Sequence, residues 1–421
     1  MLNFLPFRGY RFDVDSQGLG KLISPPYDIV SRESRESLLE KDSNNIISIE
    51  LPVGDDAYND AALHLEKMVS SGLLKKDDNE NFYIYRIRYF YNKTKYVIEG
   101  IIGLLKLESF DSGLVLPHEY TLPKAKQDRL NLLKATSSNI SPVYTLFDDS
   151  DDSITAILDK YPDSLGISAE MDGDIHTIIP VSGEDAEKIK KQFSTKKLYI
   201  ADGHHRYETA LNYRNFMIEN DSNFDQSHPA NFVLMTCVPL QHPGLLVLPT
   251  HRVIKVKPQV DLNGIPEMIS NNFLVEKIEG IGLDLLEEEY KKSMPAFIFY
   301  DGKDYYIIKP KEKNILSGFD IDRSEEYKML DVSILHSAIL EPFFHIGPKD
   351  MESEKSLIYT RDPHEAIKMV DNGTANCTFI LNPTRVEQVS AVADAGDRMP
   401  QKSTYFYPKL ATGLVINRME P

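Results

Sequence analysis

The chain has 421 residues, of which 42% are hydrophobic, and its 64 acidic residues against 47 basic ones give a formal net charge of −17. This length and composition can bury a large core, so we expect a globular protein of two or three domains. The acidic surplus repels a nucleic-acid backbone and argues against DNA or RNA as a partner, although a local cluster of Arg and Lys can still hold a small phosphorylated ligand.

Three features of the sequence bear on where in the cell the protein is located. Its apolar runs fall well short of the roughly 20 residues that a membrane span needs. The first residues, MLNFLPFRGYRF, show no basic start, apolar stretch and cleavage site in the order of a secretory signal. The cysteines, Cys237 and Cys377, lie in apolar strand-like contexts that predict buried, inert thiols. We therefore expect a cytoplasmic protein with no membrane partner.

The first elements in chain order are a helix and a hairpin. Residues 60–74 place Ala61, Leu65, Met68 and Val69 at helical spacing, and Gly72 stands where a helix ends. Residues 81–91 and 95–107 alternate apolar and polar side chains, which predicts a β-hairpin with its turn at 92–94.

Strand, turn, helix and strand follow one another in the middle of the chain. Residues 198–200 predict a short strand, 202–203 a turn, and the residues from Tyr207 onward one face of a helix. Strands are expected at 231–238 and 244–253. This succession is an α/β signature, and the fold class that we predict is α/β with a mixed sheet.

The last third of the chain predicts further elements of both kinds. Their expected positions are a helix at 283–292, strands at 296–300 and 305–308 around a turn at 301–302, helices at 331–339 and 363–371, and strands at 378–381 and 413–416. We divide the chain into an N-terminal α/β region (1–110), a core (111–257), a small inserted α/β subdomain (258–330) and a C-terminal part that completes the core and active site (331–421).

The segment IADGHHRYET, residues 200–209, is the strongest functional signal. The triplet His204, His205 and Arg206 stands at the predicted helix N-terminus, where free backbone N–H groups and the helix dipole favour an anion. Gly203 lets the backbone approach a ligand closely, and Arg206 can add a bidentate phosphate contact. The alternative is structural: Asp202 acts only as the helix N-cap, and the histidines are ordinary turn residues.

Two further polar clusters carry possible chemistry. In LPHE, residues 116–119, Glu119 beside His118 can act as a general base for a hydroxyl, and positive charge follows at Lys124, Lys126 and Arg129. A solvated loop is the competing interpretation. The late cluster places Lys402 next to Ser403 and Thr404, a combination that can bind an anion or form an ordinary loop.

Missing motifs narrow the chemistry further. The sequence has no G-x-x-x-x-G-K-[ST] phosphate loop and no strand-linked G-x-G-x-x-G, so the common nucleotide folds are not supported. It has no paired Cys or H-E-x-x-H zinc motif.

Together the three clusters resemble the free serine kinases of the ParB/sulfiredoxin-like superfamily, which share a Pro-His-Glu segment, a DGHHR turn and a late Lys-Ser/Thr-Thr segment in that order. Through the further segments PFRG, PPYD, LPTHR, NPTR and RMPQKSTYFYPK, the chain is identified as a member of a broad, largely uncharacterised bacterial and archaeal family related to those kinases. The resemblance implies a nucleotide-binding core of that fold with an N-terminal elaboration and a small inserted subdomain.

The resemblance also implies roles for individual residues. Glu119 is then the catalytic residue, and the turn from Asp202 to Arg206 binds nucleotide phosphates. Asp202 is a candidate for positioning Mg²⁺. The segment Lys402, Ser403 and Thr404 helps to form the active site, with His118, Arg129 and Asp28 as further substrate-binding or supporting candidates.

The implied activity is a magnesium-dependent kinase that uses ADP or ATP and phosphorylates a small hydroxyl metabolite, with free L-serine as the first candidate. The main alternative is a regulator that binds or hydrolyses a nucleotide without a metabolite acceptor. A sulfiredoxin is excluded because His204 stands where those enzymes carry a catalytic Cys. A ParB protein is disfavoured because no helix-turn-helix segment is found. The oligomeric state stays open.

Overall fold

The computed structural model describes residues 1–121, 123–255, 260–347, 350–351 and 356–420, and for 123–125 it describes the backbone alone. The chain divides into two compact units. The first comprises Met1–Pro117, Thr121–Leu246 and Pro408–Pro421, and the second comprises His118–Tyr120 and Val247–Tyr407. No helix in these ranges is long and apolar enough to cross a membrane.

The first unit is built on a nine-stranded mixed sheet, so the predicted α/β class is confirmed. Eight strands lie side by side in the order Val115–Leu116, Leu198–Asp202, Val143–Phe147, Phe232–Pro239, Thr94–Lys106, Phe82–Tyr91, Asp174–Val181 and Ile167–Met171, and Phe4–Leu5 pairs with Thr94–Lys106. The remaining strands are Tyr10–Phe12, Leu74–Lys76, Ser138–Asn139 and Asn417–Arg418.

Several helices pack against this sheet. The α-helices of the first unit are Ser16–Leu22, Arg32–Lys41, Ile47–Glu50, Ala57–Ser70, Pro123–Thr136, Thr155–Leu158, Gly183–Phe193 and His204–Asn220. Short 3₁₀ turns lie at Tyr27–Ile29, Phe110–Ser112, Asp163–Leu165 and Pro229–Asn231. Four fully buried aromatic rings, Phe4, Phe82, Phe147 and Phe193, pack together with centroids 4.6–5.1 Å apart and help to join helix to sheet.

The predicted hairpin is confirmed, and its turn is one residue shorter than expected. Thr94 pairs with Tyr91, so only Asn92 and Lys93 form the loop. Both have positive φ, 46° and 65°, as a type I′ turn requires. The helix predicted at 60–74 spans Ala57–Ser70, and Gly72 follows it at φ +78°.

The second unit has a six-stranded sheet in which all pairs are antiparallel. The strand order is Phe273–Ile278, Tyr305–Pro310, Phe297–Tyr300, Cys377–Leu381, His251–Ile254 and Leu357–Thr360. Its other strands are Leu246–Leu248, which begins at the unit boundary, and Tyr405–Tyr407. Its helices are Ile265–Ile269, Leu283–Lys291, Glu325–Lys328, Asp331–Leu335, Glu341–Phe344, Pro363–Asp371 and Val386–Asp394, with a π-helical turn at His336–Leu340 and 3₁₀ turns at Leu262–Gly264 and Ile315–Gly318.

This sheet crosses the domain boundaries expected from the sequence. The strand Phe297–Tyr300, from the expected insert 258–330, pairs directly with Cys377–Leu381. The latter also pairs with His251–Ile254, which was assigned to the core. The insert is therefore not separate from its flanking segments, because strand pairing joins residues far apart in sequence. The expected boundary at 257/258 lies outside the described residues.

Two other expectations concern the chain end and the cysteines. Residues 413–416 form no continuous strand, although Ile416 makes a single bridge to Tyr10. Cys237 and Cys377 are buried as predicted. Burial raises the pKa of the Cys237 thiol to about 12 and that of Cys377 well above its usual value, so neither is poised as a thiolate.

Candidate active site

Each unit carries part of the predicted site. In the first unit, the strand Leu198–Asp202 leads into the helix His204–Asn220 through Gly203. The strand register shifts between Ile200 and Asp202, and Gly203 adopts φ +88°. The predicted strand, turn and helix are thus confirmed, and the His-His-Arg triplet forms the first helical turn.

Asp202 does not cap this helix. The N-cap position belongs to Gly203, and no side chain makes a capping hydrogen bond there. The Asp202 carboxylate instead accepts a hydrogen bond from Arg206 at Oδ2 and one from Lys409 at Oδ1, 2.7 Å from Nζ. Burial opposes ionisation, but these two cations hold the pKa of Asp202 below its usual range. The N-cap alternative is therefore wrong.

This arrangement concentrates positive charge at a helix N-terminus. Arg206 and Lys409 carry two positive charges against the single negative charge of Asp202, beside the N–H groups of the first turn of a 17-residue helix. The Arg206 guanidinium also donates to the carbonyl of Pro142. The net field of this cluster favours an anion, and Asp202 holds both cations in position.

The same geometry bears on the expected magnesium ion. Both Asp202 oxygens already accept from cationic groups, whereas a hard metal ion needs carboxylate oxygens free to coordinate it. This carboxylate therefore does not fit a metal ligand in the arrangement seen here.

Arg206 also borders a small cavity within the first unit. This cavity of about 50 Å³ is lined by Arg206, Arg129, Glu50 and Ser141, among others. Ser141 donates to buried Glu50 over 2.6 Å. Arg129 donates to the Glu50 carbonyl, pairs with its neighbour Asp128, and lies 4.1 Å from the centre of the Tyr27 ring. Arg129 thus already has several protein partners.

The remaining candidates of the first unit lie around the start of the same helix. Asp28 is exposed in the turn Tyr27–Ile29, and its charge acts on His205, whose pKa is lowered chiefly by burial. His204 is buried. Lys126 donates to Glu208 over 2.8 Å, and the side chain of Lys124 lies outside the described residues.

In the second unit the structure brings the other two predicted clusters together. His118 is buried, and its Nε2 lies 2.9 Å from the Thr404 hydroxyl. Met399 donates its backbone N–H to the His118 carbonyl over 2.7 Å. The Glu119 side chain remains 23% exposed, with Oε1 3.9 Å from His118 Nε2. The Pro-His-Glu segment and the late motif therefore form one local structure.

The late motif itself is held by its own turn. Lys402 is exposed at φ +57°, and Ser403 donates to the Pro400 carbonyl. The Ser403 carbonyl in turn accepts from Thr384, over 3.0 Å. The two hydroxyls of this motif thus have protein partners, while the Lys402 ammonium stands at the surface of its unit.

Sequence reasoning missed Lys409 and Glu50. Lys409 ends the segment RMPQKSTYFYPK, yet it received no role because only Lys402 stands beside hydroxyl residues. Its contact with Asp202 joins positions 207 residues apart. Glu50 follows an apolar stretch, and nothing in its local pattern marks it as a cavity residue.

The structure thus defines a mixed α/β protein with a cationic helix N-terminus and a separate Glu-containing segment. The chain belongs to the family described as "Protein of unknown function (DUF1015)", whose model matches residues 4–333. Membership of a broad uncharacterised family is therefore confirmed, whereas kinship with the ParB/sulfiredoxin-like superfamily stays a prediction. No curated protein matches the chain in sequence.

Solved structures show weak similarity. A conserved hypothetical protein from Pyrococcus furiosus has 15% identity and a TM-score of 0.35, with 75% of this chain and 95% of that chain covered. A free serine kinase mutant in complex with AMP has 15% identity and a TM-score of 0.36, with 75% and 92% covered. A C-terminally truncated SbnI from Staphylococcus aureus has 9% identity and a TM-score of 0.34, with 74% and 86% covered.

The conformation of Gly203 gives a test of the turn. A Cβ there would lie 2.8 Å from Arg206 Nε, on a backbone with φ +88°. We expect Gly203→Ala to lower the free energy of unfolding by about 1–2 kcal/mol and to displace the Arg206 guanidinium. Denaturant unfolding and a nucleotide titration measure the two effects.

Gly173 supplies the matched control. Its φ is +87°, and no described atom lies within 4 Å of the Cβ that alanine would add. Gly173→Ala should therefore have a similar backbone cost and leave nucleotide affinity unchanged. Equal affinity in both variants would contradict the assignment of the turn to phosphate binding.

Proposed function

We propose that this protein is a kinase that transfers phosphate from ADP or ATP to a small hydroxyl metabolite, with free L-serine as the first candidate. The single observation that carries the proposal is the cluster of Asp202, Arg206 and Lys409 at the N-terminus of the helix His204–Asn220. The order of the Pro-His-Glu, DGHHR and Lys-Ser-Thr segments supports it.

The cluster acts as the phosphate site. Phosphate oxygens accept from the Lys409 ammonium, from the Arg206 guanidinium and from backbone N–H groups of the first helical turn. Lys409 has three donor hydrogens and Arg206 has five, so each can keep its bond to Asp202 while binding the ligand. Asp202 is thus a positioning residue that fixes both cations before the nucleotide arrives.

Glu119 acts as the general base in this proposal. The acceptor hydroxyl oxygen attacks the terminal phosphorus of the nucleotide, its proton passes to the Glu119 carboxylate, and the bond from phosphorus to the bridging oxygen breaks. AMP leaves when ADP is the donor, and ADP leaves when ATP is. No covalent intermediate is required, because positioning and charge stabilisation supply much of the catalysis in such transfers.

The experiment is a product analysis with each nucleotide tested separately. The purified protein is incubated with magnesium, either ADP or ATP, and one acceptor from a panel of serine, threonine, homoserine and small polyols. Mass spectrometry detects the phosphorylated acceptor, and a separate assay measures free phosphate. We expect one acceptor to be phosphorylated. Hydrolysis or binding of nucleotide without any phosphorylated acceptor would replace the kinase by a nucleotide-binding regulator.

A further inference from the structure

A second cavity lies within the second unit, and Tyr120 in its lining directly follows Glu119 in the sequence. It encloses about 160 Å³, and its lining includes Tyr120, Arg323, Tyr327, His336 and Arg398. Arg323 donates to Asp397 over 2.8 Å and to the Tyr120 hydroxyl over 3.1 Å. The Arg398 guanidinium lies 5.1 Å from the Tyr120 ring centre. The cavity wall therefore combines two cations and aromatic surface with one carboxylate, that of Glu341.

A third arginine is buried close to this wall. Arg252 is 1% exposed, and its guanidinium donates to His336 Nε2 over 3.2 Å and to the Thr250 carbonyl. In the part of the chain that the structure describes, no carboxylate forms an ion pair with it, and Glu119 acts on it only through its longer-range charge. Burial lowers the pKa of Arg252 to about 10, still well above neutral pH. A buried cation in this state is stabilised by any anion brought near it.

The hydrogen bond from Arg252 determines which ring nitrogen of His336 carries the proton. An Arg Nε–H can only donate, so His336 Nε2 must accept. Burial and the adjacent Arg252 charge hold the pKa of His336 well below its usual value, so the ring is neutral and its one proton is on Nδ1. His336 is 4% exposed, and Nδ1 has no hydrogen-bond partner among the described residues.

His336 therefore brings to the cavity a buried donor that needs an acceptor. It also begins the π-helical turn His336–Leu340, a distortion that is frequent at functional sites. One observation is a donor without an acceptor, and the other is a buried cation without a counter-ion. Both point to an anionic ligand that accepts a hydrogen bond.

We propose that this cavity binds the anionic group, a carboxylate or a phosphate, of a small ligand through His336 Nδ1–H, Arg323 and Arg398. Arg252 is a positioning residue, because it acts through the His336 tautomer and its own charge. The anion site does not depend on the proposed function. The identification of its ligand with the phosphate acceptor rests on the proposed function. If that identification holds, the acceptor is an anionic hydroxy compound.

The first test measures binding without nucleotide, so it does not depend on phosphate transfer. Calorimetry at constant ionic strength compares acetate, L-serine and D-glycerate with inorganic phosphate and glycerol 3-phosphate. We expect either the carboxylates or the phosphates to bind more tightly, and the class that does so identifies the anionic group. Nitrogen NMR of labelled histidine should show a neutral ring protonated at Nδ1 that shifts when this ligand is added. Binding by neither class, or a His336 signal that is protonated at Nε2, would overturn the proposal.

Variants then locate the site. Arg398→Gln and Arg323→Gln should each weaken binding about 10-fold or more, because each removes a charged hydrogen bond. Arg361→Gln is the matched control, since Arg361 is exposed in the same unit and lies 4.0 Å from the Tyr405 ring centre. Thermal melting checks that each variant is folded. Equal affinity in all three variants would overturn the proposed site.

Comparison with transfer separates the two proposals. If an anion binds but no acceptor is ever phosphorylated, the kinase assignment fails and the anion site stands. If neutral polyols are phosphorylated as fast as serine, the kinase stands and the role of this cavity in acceptor binding fails.

Discussion

Replacing Glu119 by Gln is expected to lower phosphate transfer by about 10²–10⁴-fold while leaving nucleotide affinity unchanged. Gln has nearly the shape of Glu but cannot take the acceptor proton effectively. Glu119 is 23% exposed, which leaves its carboxylate accessible to a substrate. Initial rates of product formation and a nucleotide titration on the same preparation measure the two effects.

A control variant in the second unit, which also contains Glu119, tests whether loss of a negative charge by itself slows the reaction. Glu288 is exposed on the helix Leu283–Lys291, and Glu288→Gln removes one negative charge far from Glu119 in sequence. This variant should keep full activity. Retention of activity in a folded Glu119→Gln protein would remove Glu119 from the proposed mechanism.

Loss of either cation at Asp202 is expected to weaken nucleotide binding. Arg206→Ala and Lys409→Met should each cost about 1.5–3 kcal/mol of binding free energy, because each removes a charged hydrogen bond. That cost corresponds to roughly 10- to 150-fold in affinity. Lys188→Met is the control, since Lys188 pairs with Glu184 at 2.6 Å and with Asp185 at 3.7 Å on the surface of the same unit. Calorimetric titration with ADP and with ATP measures the change.

A double-mutant cycle distinguishes phosphate binding from a purely structural role of Lys409. The single variants Asp202→Asn and Lys409→Met each break the 2.7 Å pair, so their effects on unfolding free energy should not add in the double variant. If Lys409 contacts phosphate, nucleotide affinity stays low in the double variant as well. Recovery of affinity there would show that Lys409 serves only to neutralise Asp202.

Local patterns in the sequence predicted local structure well. The apolar spacing of residues 363–371 matches the observed helix Pro363–Asp371, and the alternation on either side of Asn92 and Lys93 matches the hairpin. The position of the His-His-Arg triplet at a helix N-terminus was also predictable. Each of these features depends on residues that are neighbours in the chain.

Long-range pairing was not predictable in the same way. The contact of Lys409 with Asp202 and the strand pair that joins Phe297–Tyr300 to Cys377–Leu381 depend on how distant segments fold together. The role of Asp202 was mistaken in one alternative, because an Asp before a helix ordinarily caps it. Here Gly203 takes the cap position at positive φ, and the Asp202 side chain turns to two cations instead.

Phosphorus NMR of one reaction mixture, recorded with and without L-serine, distinguishes phosphate transfer from nucleotide hydrolysis. The sample contains the protein, magnesium and one nucleotide, and the terminal phosphate of the donor is followed over time. The kinase account predicts that a phosphomonoester signal grows in step with loss of the donor's terminal phosphate, and only when the acceptor is present. Release of inorganic phosphate at the same rate with and without L-serine, and with every other acceptor of the panel, would contradict the account.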